Sequence, residues 1–170
     1  MKALVVYESM WGNTRRVAEA IAVGLGGARA AETHQVDVTD VQDLDLLVVG
    51  GPTHAFSMSR PSTRRDARQQ GATDGVEDQG IREWLAALPE SLGVPVATFD
   101  TRVLKVRHLP GSAAKAADKE VRRHHGSRVV DRSSFYVLDS SGPLADGELD
   151  RAEKWGVELA AQFAPSLEEP

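Results

Sequence analysis

The stretch Ser9-Met10-Trp11-Gly12-Asn13-Thr14 packs two hydroxyls, an amide and a glycine into one turn between an apolar run (residues 3–7) and a helical period. Such a turn suits an anion. The first N–H groups of a helix have no partner inside it, the helix end carries partial positive charge, and Ser9, Asn13 and Thr14 add side-chain donors. Gly12 lets the backbone approach a ligand closely. The same residue types also cap ordinary helices, so the turn alone leaves both uses open. A second group, Pro52-Thr53-His54-Ala55-Phe56-Ser57, follows Gly50-Gly51 and the apolar run 46–49. A sharp exit of that kind brings backbone groups to the edge of a flat ring, with His54 and Phe56 as its neighbours. His54 fits a donor to such a ring and a solvated loop histidine equally well. A third group, Asp100-Thr101-Arg102, follows the run 94–99.

These loops need a frame that gathers them. Short, nearly continuous apolar runs at 3–7, 46–49, 94–99 and, split, at 128–131 and 135–138 are the signature of strands covered by helices on both faces of a parallel sheet. Helical spacing appears in Val17, Ile21 and Leu25, in Ile81, Trp84, Leu85 and Leu88, and from Leu149 to Phe163; residues 112–125 form a fourth helix. The alternating segment 34–38 predicts an edge strand, and Ser133-Ser134 predicts a bulge or insertion in the last strand. Alternation of strand and helix implies right-handed crossovers in an α/β doubly wound sheet, whose ligands bind at the carboxyl ends of the strands. Residues 1–165 are expected to be one domain, with 166–170 as a short tail. The irregular segment 57–76 predicts a binding loop, lid or disordered insert, with a short helix opening at Pro61 and ending near Gly71.

Composition narrows the chemistry. With no cysteine among 170 residues, thiol nucleophiles, thiolate metal sites and iron–sulfur clusters are excluded, so redox work needs a bound organic cofactor or other metal ligands. A net charge of −5 argues against a nucleic-acid-coating protein, and no apolar run reaches membrane-spanning length or forms a signal peptide. The expected location is cytoplasmic. His124 and His125 point apart on a helix and read as solvated, not as metal ligands; Trp84 and Trp155 read as core.

The S-x-x-G-x-T arrangement at Ser9–Thr14 resembles the phosphate loop of the flavodoxin-like family, with Trp11 where that family commonly has threonine. GGPTHAF at 50–56 and TFDTR at 98–102 look like its second and third flavin loops, and residues 142–160 are similar to its last helix and lead-in. The resemblance implies a five-stranded parallel sheet in the order 2-1-3-4-5 and noncovalent FMN. It assigns the phosphate to Ser9, Met10, Trp11, Gly12, Asn13 and Thr14, and the ring to Pro52, Thr53, His54, Ala55, Phe56, Ser57, Asp100, Thr101 and Arg102. It further implies an electron carrier serving a reductase and an acceptor. The alternatives are an FMN-dependent two-electron oxidoreductase passing electrons to a small acceptor such as a quinone, and a flavin-free scaffold. Two departures stand out. The third loop lacks the family's stacking tyrosine, and Arg60, Arg64, Arg65, Arg68, Arg102, Lys105, Arg107 and His108 flank the expected ring against only Asp66 and Asp100. Cations there favour an electron-rich flavin or an acidic partner.

Overall fold

The computed structural model describes residues 1–163, so the tail expected at 166–170 lies outside the described residues. Strands β1 (Ala3–Tyr7), β2 (Arg29–Glu32), β3 (Leu46–His54), β5 (Val96–Val103) and β6 (Val129–Val137) run parallel in the spatial order β2-β1-β3-β5-β6. A two-residue strand β4 (Ser57–Met58) turns back on β3 as a hairpin. Counting the five long strands alone, the order is the expected 2-1-3-4-5.

The alternation of side chains along each strand builds two cores. Leu4, Val6, Leu47, Val49 and Val96 face α3 (Ile81–Ala86) and α4 (Ala113–His124), while Val5, Leu46, Val48, Ala97 and Phe99 face α1 (Asn13–Gly24) and α5 (Glu148–Gln162). Both tryptophans expected in the core are buried. The Trp84 indole donates to the Val36 carbonyl at 2.9 Å and the Trp155 indole to Asp131 Oδ2 at 2.8 Å, so neither polar tip is stranded. Where α1 crosses α5 the backbones touch: a Cβ on Gly156 would lie 2.3 Å from the Ile21 carbonyl oxygen.

Three local expectations are corrected. The edge strand is Arg29–Glu32 and not 34–38; residues Thr33–Gln35 form a 3-10 turn closed by the Gln35 side chain on the Glu32 N–H at 3.1 Å. The irregularity in β6 sits at Val130, which has no partner because Val129 pairs with Val96 and Asp131 with Ala97, while Ser133 and Ser134 continue the ladder unbroken. His125 is buried, its Nδ1 bonded to the Pro89 carbonyl at 2.8 Å, whereas His124 is exposed. Within 57–76 the chain forms β4 and α2 (Pro61–Gln69), the short helix expected to open at Pro61.

Candidate functional site

At the carboxyl ends of β1, β3 and β5 lies a cavity of about 220 Å³, beside the point where strand order reverses between β1 and β3. The first loop forms one wall. Ser9 is buried and its hydroxyl accepts the Gly12 N–H at 3.0 Å, which closes the turn. Gly12 sits at φ 87° as the N-cap of α1, a conformation that side chains disfavour. Beyond it, the N–H groups of Trp11, Asn13, Thr14 and Arg15 donate to no acceptor among the described residues. They are the orphan donors of a helix start, and they adjoin the cavity lined by Trp11, Asn13 and Thr14. Thr14 Oγ1 lies 2.7 Å from Thr101 Oγ1, joining the first loop to the third. Asn13 Nδ2 donates to the Ser141 carbonyl at 3.1 Å, joining it to the loop after β6. Trp11 also has a packing role: with Met10 it meets Ala67 of α2 and Ala72 in a small apolar cluster.

The second wall is the end of β3. Past Gly50, β1 has ended, and at Gly51 and Pro52 β3 pairs only with β5, so Pro52 forfeits no ladder bond on the open side. The chain then reverses through Ala55 and Phe56, both at positive φ (47° and 61°), so a two-residue turn of the type that favours Asn-Gly is made here from residues with full side chains. From α3, Arg82 holds the returning strand, donating to Ser57 Oγ (3.2 Å), the Met58 carbonyl (2.7 Å) and the Ser59 carbonyl (3.0 Å). Thr53 and Asp100 serve α4: Thr53 Oγ1 accepts the Ala113 N–H and Asp100 Oδ2 the Ala114 N–H, each at 2.9 Å. In the third loop, Arg102 Nη2 donates to the carbonyls of Val106 (3.2 Å) and Leu109 (3.0 Å), folding 104–109 back on itself.

Ten of the fifteen residues expected at the site line the cavity: Met10, Trp11, Asn13, Thr14, Pro52, Thr53, His54, Ala55, Thr101 and Arg102. Ser9, Gly12, Ser57 and Asp100 stand behind it in the roles just described, and Phe56 projects from the hairpin tip. Sequence reasoning missed Thr63, Asp66, Ala67 and Gln70 of α2, and Val103, Val137 and Ser140. The four α2 residues are spaced i, i+3, i+4, i+7, so the helix expected at Pro61 already carried the signal.

The expected cationic surround is largely corrected. Arg64 is fully buried: its Nη1 donates to Ser59 Oγ at 2.7 Å, its Nη2 to Glu83 Oε1 at 2.8 Å and its Nε to the Glu77 carbonyl at 2.7 Å, with Glu8 Oε1 3.8 Å from Nη1. Arg68 ties together the carbonyls of Ala72, Asp74 and Gly75. Only Arg102 and Asp66 bring charge to the cavity lining, because His54 is neutral: burial, reinforced by the Arg64 charge, brings its pKa down to about 4. The Thr63 hydroxyl donates its one proton to the Arg60 carbonyl, so it accepts from His54 Nδ1 at 2.9 Å, and Nε2 is left as an acceptor. Between pH 6.5 and about 4 the unfolded chain binds a proton that folded His54 does not, so this group's contribution to stability falls as pH drops through that window. His54→Gln is therefore expected to show a smaller loss of thermal midpoint than the parent between about pH 7 and about pH 5. Equal losses in the two proteins would contradict the assignment.

Comparison with known proteins agrees with this geometry. The flavodoxin family model matches residues 5–75, which include the first two loops and α2. Among solved structures, the oxidised flavodoxin 2 of Bacillus cereus is similar over 96% of this chain and 100% of its own, with a TM-score of 0.67 and 17% identity. A flavodoxin from the domain Archaea is similar over 95% and 98%, with a TM-score of 0.61 and 20% identity. The two-electron reduced flavodoxin of Megasphaera elsdenii is similar over 92% and 98%, with a TM-score of 0.58 and 16% identity. No curated protein matched the sequence.

Proposed function

Because the chain is flavodoxin-like, we propose that it binds FMN noncovalently in the cavity at the β1, β3 and β5 ends and serves as an electron carrier. The observation that carries this is the set of unpartnered N–H groups at Trp11, Asn13, Thr14 and Arg15, facing an anion's place at the start of α1. Those groups would hold the terminal phosphate by charge-assisted hydrogen bonds, and the Thr14–Thr101 hydroxyl pair ties the first loop to the third beside them. Pro52, Thr53, His54 and Ala55 on one side, with Thr101, Arg102 and Val103 on another, orient the ring. His54 presents a neutral acceptor, and Arg102 supplies the cation of the lining. FMN, when bound, supplies the one- and two-electron redox chemistry.

The test is titration of the purified chain with FMN and with riboflavin, read by flavin fluorescence. FMN should bind at least about tenfold tighter than riboflavin, since only FMN offers the anion. Asn13→Asp puts a carboxylate at the phosphate while suiting the helix dipole, so folding is kept. Like charges about 4 Å apart repel by about 1 kcal/mol in water and about 4 kcal/mol near a protein surface; FMN affinity should fall about 10- to 100-fold, with riboflavin little changed. Asn13→Ala, which removes the Ser141 bond without adding charge, is the control. A colourless protein that takes up no FMN would favour the scaffold.

One observation favours a second reading, the two-electron oxidoreductase. The third loop meets the cavity with Val103 beside Val137 and no aromatic ring, leaving room for a small acceptor such as a quinone against the flavin. Steady-state quinone turnover with NAD(P)H separates an enzyme from a carrier.

A further inference from the structure

We propose that the mouth of this cavity docks a protein partner with an acidic face, an inference that rests on the electron-carrier reading. The segments 54–68 and 102–111 hold seven arginines and lysines and one acid, Asp66, in a chain of net charge −5. Once Arg64, Arg68 and Arg102 are assigned inward and Arg65 to the far side of α2, the exposed cations of this rim are Arg60, Lys105 and Arg107, with His108 beside them. None of the three forms an ion pair with a carboxylate among the described residues. Their charge is uncompensated within the chain and available to a partner.

The same rim carries exposed apolar side chains. Phe56 at the hairpin tip is 46% exposed, Leu109 48% and Leu138 48%. They stand on adjoining loops. A Cβ on Gly111 would lie 2.6 Å from the Phe56 carbonyl oxygen, so the hairpin tip rests on the loop that bears Leu109. Val103, at the start of that loop, pairs with Val137, next to Leu138. Acids at this end of the molecule include Asp66, Asp139 and Asp74, the last beside Gly12 and paired with Arg15 at 3.4 Å. Apolar anchors ringed by unpaired cations match a protein interface with an acidic rim. A track for the phosphates of nucleic acid has no need of exposed apolar side chains, so Phe56, Leu109 and Leu138 favour a protein face. The loops that bear these side chains also line the cavity, through His54, Ala55, Arg102, Val103, Val137 and Ser140, so a docked partner would stand beside it.

The experiment uses the full chain with two probe proteins, an acidic plant-type [2Fe–2S] ferredoxin and basic cytochrome c, and follows complex formation by NMR shift perturbation with and without FMN. Binding to the ferredoxin is expected to exceed binding to cytochrome c at about 20 mM salt and to weaken at least about tenfold by about 200 mM. Lys105→Glu/Arg107→Glu should reverse the preference while leaving FMN affinity and the thermal midpoint unchanged, since neither residue lines the cavity. Absence of ferredoxin binding, tighter binding of cytochrome c, an unchanged double variant, or stronger binding to anionic vesicles or duplex DNA would each overturn the proposal. Failure of the flavin reading shows separately, as ferredoxin binding by a chain that takes up no FMN.

Discussion

Arg64→Met is expected to lower the unfolding free energy by about 3–5 kcal/mol, the cost of removing one partner from a buried ionic network. Methionine keeps most of the side-chain volume, so the loss reports on charge and hydrogen bonding more than on a cavity. What is lost is specific. Glu83 and the Glu77 carbonyl each lose a donor, Ser59 Oγ loses the bond from Nη1, and Glu8 is left with no cation near it. Glu8 is the sensitive member. Burial already raises its pKa, against the lowering effects of the Ser59 hydroxyl, the Ile81 N–H and the Arg64 charge. Above the ordinary glutamate value the folded state therefore keeps a proton that the unfolded chain releases, and the Glu8 contribution to stability declines as pH rises. Without Arg64 that window widens, so the deficit of Arg64→Met should be larger at about pH 8 than at about pH 5. Arg64→Met/Glu8→Gln should recover much of it, because a glutamine carbonyl can still accept from the Ile81 N–H and its amide can donate to Ser59. Urea unfolding at the two pH values decides: a deficit below about 1 kcal/mol, or no recovery in the double variant, would show that the network does not hold α2 to the sheet.

Gly156→Ala should destabilise by about 1–3 kcal/mol, although helix propensity alone predicts a gain of about 1 kcal/mol. The opposite signs make the measurement decisive. A Cβ at Gly156 would stand 2.3 Å from the Ile21 carbonyl oxygen and 3.0 Å from Gly24 Cα, and one at Gly24 would stand 2.0 Å from the Glu153 carbonyl oxygen. Both obstacles are backbone, which cannot swing aside as a side chain does. The helices must separate, and separation loosens Trp155 and Leu159 of α5 from the core they share with Ile21. Thermal unfolding should show a lower midpoint, by about 2–4 °C for each kcal/mol lost in a chain of this length. A higher midpoint would mean that α5 can shift along α1 without cost.

The central strands were legible because buried parallel strands must be apolar on both faces, and the runs at 3–7, 46–49 and 94–99 are. The edge strand was not. Residues 29–32 include two alanines and no β-branched side chain, and what holds them is backbone pairing of Leu4 to Arg29 through Tyr7 to Glu32. The more strand-like 34–38 was misleading because Val36 is buried without strand pairing, packed in the core that holds Trp84, whose indole donates to the Val36 carbonyl. At the site, loop positions followed from topology. What a sequence cannot display is the direction of an arginine: Arg64 and Arg65 are neighbours, yet one is fully buried and the other exposed.

The capping of α4 by Thr53 and Asp100 changes how mutational data at this site ought to be interpreted. Both residues occupy strand ends where a cofactor is expected, and both are committed to N–H groups of a helix that packs under the sheet. A random-mutagenesis screen scored only by colour or turnover would rank them beside Asn13 and Thr14, and the ranking would mix two causes. Positions 53 and 100 would fail through a frayed helix, and position 13 through loss of the proposed phosphate site. Scoring abundance alongside activity separates the genotypes that lose the fold from those that lose the ligand.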